Sequence, residues 1–275
     1  MELVPSSTDG SGLVSTIRKF SMLSKNNIKR LNKLSLKKNR LKERQFLVEG
    51  DKMILELASS DYEIAELFVT SELETSVRKT FPKNMPVHVI SIEELKKISQ
   101  LKTPQNSLAV CRIPETPVIP LFINDALSLY IDSIQDPGNL GTILRISDWF
   151  GIQNVFVSPE TVDVFNPKVI QASMGSFARV RVYETGFETV ENLAKKSQAI
   201  IYGAFMEGSN VYEQTLAGKA ILVVGNEGNG IRPEIEARVD HKLSIPNFSL
   251  NDQKAESLNV SVATAVLCSE FKRKH

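Results

Sequence analysis

Apolar residues follow two periodicities along this chain, and the change between them divides it. Between positions 26 and 44, Ile28, Leu31, Leu34, Leu36 and Leu41 recur at roughly helical spacing among lysines, which predicts one or two basic helices. Short apolar runs then alternate with helical stretches: strands at 46–48, 64–69, 87–90 and 108–111, and helices at 52–59, 72–80 and 92–99. That alternation predicts a small α/β or α+β domain. Residues 113–120 hold three prolines in eight positions and predict an extended linker.

Beyond the linker the pattern is regular. Strands are predicted at 127–134, 155–157, 179–182, 199–204, 219–224 and 242–245, and helices at 139–150, 167–173, 189–197, 211–216, 233–238 and 258–272. The run Ala220-Ile-Leu-Val-Val224 is apolar at every position, as a strand of a parallel sheet covered on both faces must be. The expectation is an α/β fold in which a small α/β domain at 22–113 and a linker at 114–122 precede a parallel-sheet domain at 123–275. Residues 1–21 are rich in turn formers without a periodic apolar face. They are expected to be a disordered tail or an added extension ahead of Met22.

Composition narrows the function classes. No run of about 18 apolar residues and no apolar signal core occurs, so the reading is a cytoplasmic protein with no membrane partner. Cys111, Cys268, His88, His241 and His275 are scattered without metal or redox spacing, which predicts neither a disulfide nor a metal site. The net charge of +1 hides an asymmetry: to Glu115 there are 19 Lys+Arg against 14 Asp+Glu, and afterwards 14 against 18. Between Arg18 and Arg44, eleven basic residues face only Glu43. That segment is either a phosphate-contacting surface or a solvated helix face.

Three loops after predicted strands could carry chemistry, because ligands of open α/β sheets gather outside the carboxyl ends of the strands. The first, Asp136-Pro-Gly-Asn-Leu-Gly-Thr-Ile-Leu-Arg145, enters a helix carrying Asn139 and Arg145 near its start. The second, Gly225-Asn-Glu-Gly-Asn-Gly-Ile231, has the glycine density that close backbone approach to a ligand requires. Its spacing fits neither a dinucleotide fingerprint nor a Walker loop. The third joins Ile245-Pro246 to Ser257-Leu-Asn-Val-Ser261 and an apolar helix. Singly, each has an ordinary structural reading: a helix cap at Asn139 or Ser257, a tight turn at the glycines.

Jointly, in order and spacing, the three loops resemble the SpoU-type RNA 2′-O-ribose methyltransferases of the SPOUT class. The resemblance rests on Asp136-Pro-x-Asn139-x-Gly141 with Arg145, on Gly225-Asn226-Glu227-Gly228 with Gly230-Ile231, and on Ile245-Pro246 with Ser257-Leu258-Asn259-Val260-Ser261. Asn166-Pro-Lys168 and Ser173-Met-Gly-Ser176 look like a further segment of the family, from which Gln171 and Ser176 are small departures. The N-terminal part is similar to the ribosomal-protein-like substrate-binding domain that often precedes this module, through Phe46, Glu49-Gly50 and Thr103-Pro-Gln105 with Leu108-Ala109-Val110.

The resemblance implies a deep trefoil knot near the C-terminus, a homodimer with a composite site, and S-adenosylmethionine as cofactor without a metal. Gly225, Asn226, Glu227, Gly230, Ile245, Pro246 and Leu258 are the implied cofactor residues, and Asn139, Arg145, Glu227, Ser257 and Asn259 the implied catalytic set. RNA is the implied partner, ribosomal RNA ahead of transfer RNA. Arg145 reads as a charge clamp, since a guanidinium holds its proton too tightly to be a good base. A non-catalytic RNA-binding protein and a nucleotide-dependent α/β enzyme are the competing readings.

Overall fold

The computed structural model describes residues 23–115, 118–123, 127–250 and 256–273. The tail expected at 1–21 and parts of the expected linker lie outside the described residues. The first sheet has the order β1 (Gln45–Glu49), β4 (Ser107–Arg112), β2 (Ile64–Val69), β3 (Val87–Val89). β4 runs antiparallel to both neighbours, with Phe46 opposite Cys111 and Leu67 opposite Ala109, while β3 is parallel to β2. Five helices surround it: α1 (Lys25–Lys33), α2 (Lys37–Glu43), α3 (Asp51–Leu57), α4 (Ser71–Thr80) and α5 (Ile92–Ile98). Local chemistry starts them where it should. Ser24 caps α1 by accepting from the Asn27 amide, and Ser91 with Glu94 forms a reciprocal capping box on α5. Glu94 Oε1 also accepts from the Leu23 amide at 2.9 Å, which ties the start of α1 to α5.

The second sheet has six strands, all parallel, in the order β10 (His241–Ser244), β8 (Ile200–Asn210), β9 (Ala220–Val224), β5 (Leu127–Ile131), β6 (Asn154–Val157), β7 (Arg181–Glu184). The continuous apolar runs are explained by two covered faces. Leu129, Ile131, Leu222 and Val224 pack on one side with residues of α6 (Pro137–Trp149), α7 (Pro167–Ser173) and α10 (Val260–Arg273). Tyr130, Phe156, Ile221 and Val223 pack on the other with α8 (Phe187–Ser197) and α9 (Pro233–Glu236). Alternate residues of one strand thus feed opposite cores.

Several boundaries differ from the pattern, each for a local reason. The helix expected at 211–216 is one 3-10 turn, Val211–Glu213, because the Asn210 side chain accepts from the Tyr212 amide and Gln214 is already extended. The strand expected to stop at 204 continues to Asn210, where its far end pairs with Leu243 and Ser244 of β10 beyond a register shift. The strand expected to reach 134 stops at Ile131, since Ser133 has φ +58°. α6 starts at Pro137, two residues before Asn139, and α10 starts at Val260 rather than 258.

The two sheets share a core. Phe46 of β1 stands 4.6 Å from Phe165 and 6.1 Å from Phe177, ring centre to ring centre, and Tyr62 lies 5.3 Å from Phe177. Behind this aromatic cluster Arg40 is only 2% exposed. Its guanidinium is engaged at every nitrogen: Nε donates to Asp163 Oδ2 at 3.0 Å, and the terminal nitrogens reach the same carboxylate and the carbonyls of Leu34 and Ser35. Arg40 therefore leaves the basic surface expected of segment 18–44. Arg30 pairs with both oxygens of Glu66, and Arg44 donates to the Pro114 carbonyl, whereas Lys25, Lys29, Lys33, Lys37, Lys38 and Lys42 stay exposed.

A second inter-sheet contact, Arg179 to Glu56 at 3.1 Å, is half exposed and worth under about 1 kcal/mol. Stranding one member of a buried pair costs about 3–5 kcal/mol. Arg40→Ala should accordingly lower the unfolding free energy by that amount in urea titration, and Arg179→Ala by less than about 1 kcal/mol. Adding Asp163→Ala to Arg40→Ala should cost less than the sum of the single changes, because the two carry one interaction.

Candidate active site

The site begins with how α6 is capped. Asp136 Oδ1 accepts the Asn139 amide at 2.8 Å, and Pro137 occupies the first helical position, where no donor is needed. Capping is thereby complete without the Asn139 side chain. Its Nδ2 donates to Glu227 Oε1 at 2.8 Å, and its Oδ1 accepts from Asn259 Nδ2 and from Ser261 Oγ, both at 3.0 Å. The orientation of this amide is forced, since a carboxylate can only accept and so must face the NH2 end. Asn139, Glu227 and Asn259, from three loops far apart in sequence, meet in one network.

The loop at 225–231 is built to turn back on itself. Asn226 Oδ1 accepts from the amides of Gly228 and Asn229, its Nδ2 donates to the Ser133 carbonyl at 2.8 Å, and its backbone exchanges two hydrogen bonds with Gly230. A Cβ on Gly225 would stand 2.2 Å from the Gly230 carbonyl carbon, so the returning backbone excludes any side chain there. Gly230 has φ +69°, in the left-handed region that favours glycine.

A brace behind this loop was not anticipated from the sequence. The Arg232 amide and Nε donate to the two oxygens of Asp132 at 2.9 and 2.8 Å, and Asp132 is fully buried at the end of β5. Burial disfavours the charged guanidinium, yet the facing Asp132 carboxylate, with Glu160 beyond it, holds Arg232 above its ordinary value. Burial, and then the same carboxylate, push the Tyr130 hydroxyl up to about 12. The available signal was an acid ending an apolar strand and an arginine directly after the glycine loop.

Asn259 caps α10, its Oδ1 accepting from the Ser261 and Val262 amides at 2.9 and 3.4 Å. Ser257 is exposed and does not cap. Leu258 is exposed as well, and Ile245 and Pro246 are half-buried just past β10. Arg145 is set apart from the network. Six residues on from Asn139 at about 100° per residue, it points about 120° away on the helix. It is exposed and has no described ion pair. The face it shares includes Trp149, 84% exposed. Among the described residues no group of three His, Cys, Asp or Glu side chains could hold a metal ion, and no helix is long and apolar enough to cross a membrane. What the chain assembles is a set of aimed hydrogen-bonding groups beside a cation on a different face.

Residues 126–269 match the SpoU rRNA Methylase family, and residues 25–109 match the MRM3-like substrate binding domain. The chain is 30% identical to a 23S rRNA (guanosine(2553)-2'-O)-methyltransferase of Bacillus subtilis, over 87% of this chain and 93% of that protein. A TrmH-family protein from Porphyromonas gingivalis superposes with TM-score 0.82 and 40% identity, covering 93% of this chain and 100% of that one. The AdoMet-bound rRNA methyltransferase from Sinorhizobium meliloti shares the fold at TM-score 0.80 and 23% identity, covering 92% and 97% of the two chains. On the family match, and on the near full-length similarity to the Bacillus subtilis protein, the chain belongs to the SpoU rRNA methylase family.

Proposed function

We propose that this chain methylates a ribose 2′-hydroxyl of structured RNA, ribosomal RNA in preference to transfer RNA, with S-adenosylmethionine as the methyl donor. The observation that carries the proposal is the Asn139 network, which joins the three loops around one amide in a member of the SpoU family. The chain has the groups such a cofactor needs. The backbones of Glu227, Ile245 and Leu258 make no hydrogen bond to another described backbone group, which leaves donors and acceptors for a nucleoside edge. Half-buried Ile245 and Pro246 and half-exposed Leu258 offer it apolar surface. Gly225, Asn226, Glu227, Gly230, Ile245, Pro246 and Leu258 are the proposed cradle.

When bound, the cofactor supplies a methyl group already activated on a sulfonium. The protein's task is to hold the ribose hydroxyl in line and to ease loss of its proton. Asn139, Glu227, Ser257 and Asn259 orient the ribose and its phosphate in this proposal. Arg145 clamps the phosphate and the developing alkoxide, while the proton leaves through Ser257 Oγ or water. Arg145 points away from the Asn139 network of its own chain, beside a bare Trp149. The proposal therefore includes a homodimer in which Arg145 completes the site of the partner subunit, and a C-terminal segment knotted through its own chain.

Arg145→Ala should lower methyl transfer to ribosomal RNA at least a hundredfold, the loss typical of one aimed electrostatic donor, and leave the cofactor Kd unchanged. Purified protein that binds no S-adenosylmethionine and methylates neither ribosomal nor transfer RNA would sink the proposal. Mixing Arg145→Ala and Asn139→Ala chains should restore activity, because a mixed dimer keeps one intact composite site; a site contained in one chain would stay dead. Gly225→Ala should abolish cofactor binding in calorimetry through its clash with Gly230. Gly228→Ala, whose Cβ meets only Asn226 Oδ1 at 3.7 Å, should retain it.

A further inference from the structure

A cleft of about 360 Å³ opens between the two domains, lined by none of Asn139, Glu227, Asn259 and Ser261. Its apolar walls are Leu47 and Leu101 on the N-terminal side and Pro167 and Ile170 on the other. Each side also contributes an amide, Gln100 and Gln171, and neither side chain has a described hydrogen-bond partner. Lys168 stands exposed at the cleft without a described ion pair, and exposed Lys37 and Lys38 lie two and three residues beyond the lining residue Ser35. The only lining carboxylate, Glu49, is already occupied, accepting from Ser99 Oγ and from the Gln100 amide. Burial raises its carboxyl above the usual value, against the two hydrogen bonds it accepts.

Apolar walls, unpartnered amides and a cation at the mouth suit an unpaired nucleotide. The base is sandwiched, a side-chain amide reads its edge in bidentate fashion, and ammonium groups take the phosphate. We infer that this interdomain cleft holds an unpaired nucleotide of the RNA substrate, read by Gln100 and Gln171. The inference rests on the RNA-methylating function proposed above, to which it adds a recognition subsite.

Two features support that occupant over a free small molecule. Pro137 lines the cleft and lies two residues before Asn139 on α6, which puts the two on opposite sides of the helix, so a nucleotide held there is one helix diameter, ~10 Å, from the one presented to the network. The cleft is also set in advance. Arg40 donates to the carbonyl of Ser35 on one wall and to Asp163, which leads into Asn166 and Pro167 on the other. A pocket fixed before binding avoids the ordering cost of closing two domains on a flexible strand.

The test uses the full chain, S-adenosylmethionine and ribosomal RNA from a strain lacking the gene. Gln100→Leu and Gln171→Leu should each raise KM for RNA about tenfold, within the range of one bidentate base contact, with kcat and cofactor Kd unchanged. RNA substituted with 4-thiouridine should cross-link on irradiation to peptides containing Leu101 or Ile170. Cross-linking reads occupancy even if a variant folds poorly. An unchanged KM in the double variant, a fall in kcat without a change in KM, or no cross-link at either peptide would overturn the inference. If the wild-type chain transfers no methyl group, the proposed function falls, and the cross-link alone then decides whether the cleft takes RNA.

Discussion

One primary amide holds the candidate site together. Asn139 has one donating end and one accepting end, and the chain supplies each with partners of the opposite kind: Glu227 for the first, Asn259 and Ser261 for the second. Because a carboxylate cannot donate and Asn259 presents its NH2, the amide has a single satisfied orientation. That fixes the distance between the start of α6, the glycine loop after β9 and the start of α10. The arrangement depends in turn on who does the capping. Asp136 caps α6 and Asn259 Oδ1 caps α10, so the Asn139 side chain and the NH2 of Asn259 are both free to reach across. An aspartate at 139 would place two carboxylates face to face and lose the only donor between them.

Rigid supports stand behind this amide. The glycine loop can fold back tightly because Gly225 has no side chain, but the exit direction of the loop is set by Arg232 on the buried Asp132. The N-terminal domain is fixed to the sheet by Arg40 and Asp163 and by the ring cluster of Phe46, Tyr62, Phe165 and Phe177. Rings alone would permit sliding, since apolar contact is non-directional. A guanidinium with its Nε and both terminal nitrogens engaged permits one register. Each support pairs charges with one member fully buried, Arg40 in one and Asp132 in the other, which makes it costly to break and specific in geometry rather than a large net source of stability.

The elements and the loops were legible in the sequence because both depend on local pattern. Period-two and period-3.6 apolar spacing located most strands and helices, and the order of the motifs Asp136–Arg145, 225–231 and 245–261 pointed to the family. What was hidden depends on contacts distant in sequence. Arg40 looked like one more cation of a basic segment until the fold placed Asp163 against it, 123 residues away. Asp132 and Arg232 are 100 residues apart and gave no paired signal. Asn139 could be read as a helix cap, since nothing local says that Asp136 takes that role first. Arg145 was grouped with Asn139 by spacing, and helix geometry separates them onto different faces, which is why a second copy of the chain enters the proposal.

The basic segment illustrates how chemistry sorts residues that composition counts as equal. Its described arginines, Arg30, Arg40 and Arg44, all turn to protein oxygens, whereas its six described lysines all remain in water. A planar guanidinium is weakly hydrated and matches carboxylate and carbonyl geometry, so folding recruits it; an ammonium is compact and strongly hydrated, so folding leaves it outside. The charge that α1 and α2 present to solvent is therefore a field of point charges, of the kind that attracts phosphates without regard to sequence. Discrimination among RNA positions has to come from groups with direction, and the unpartnered amides of Gln100 and Gln171 in the interdomain cleft have it.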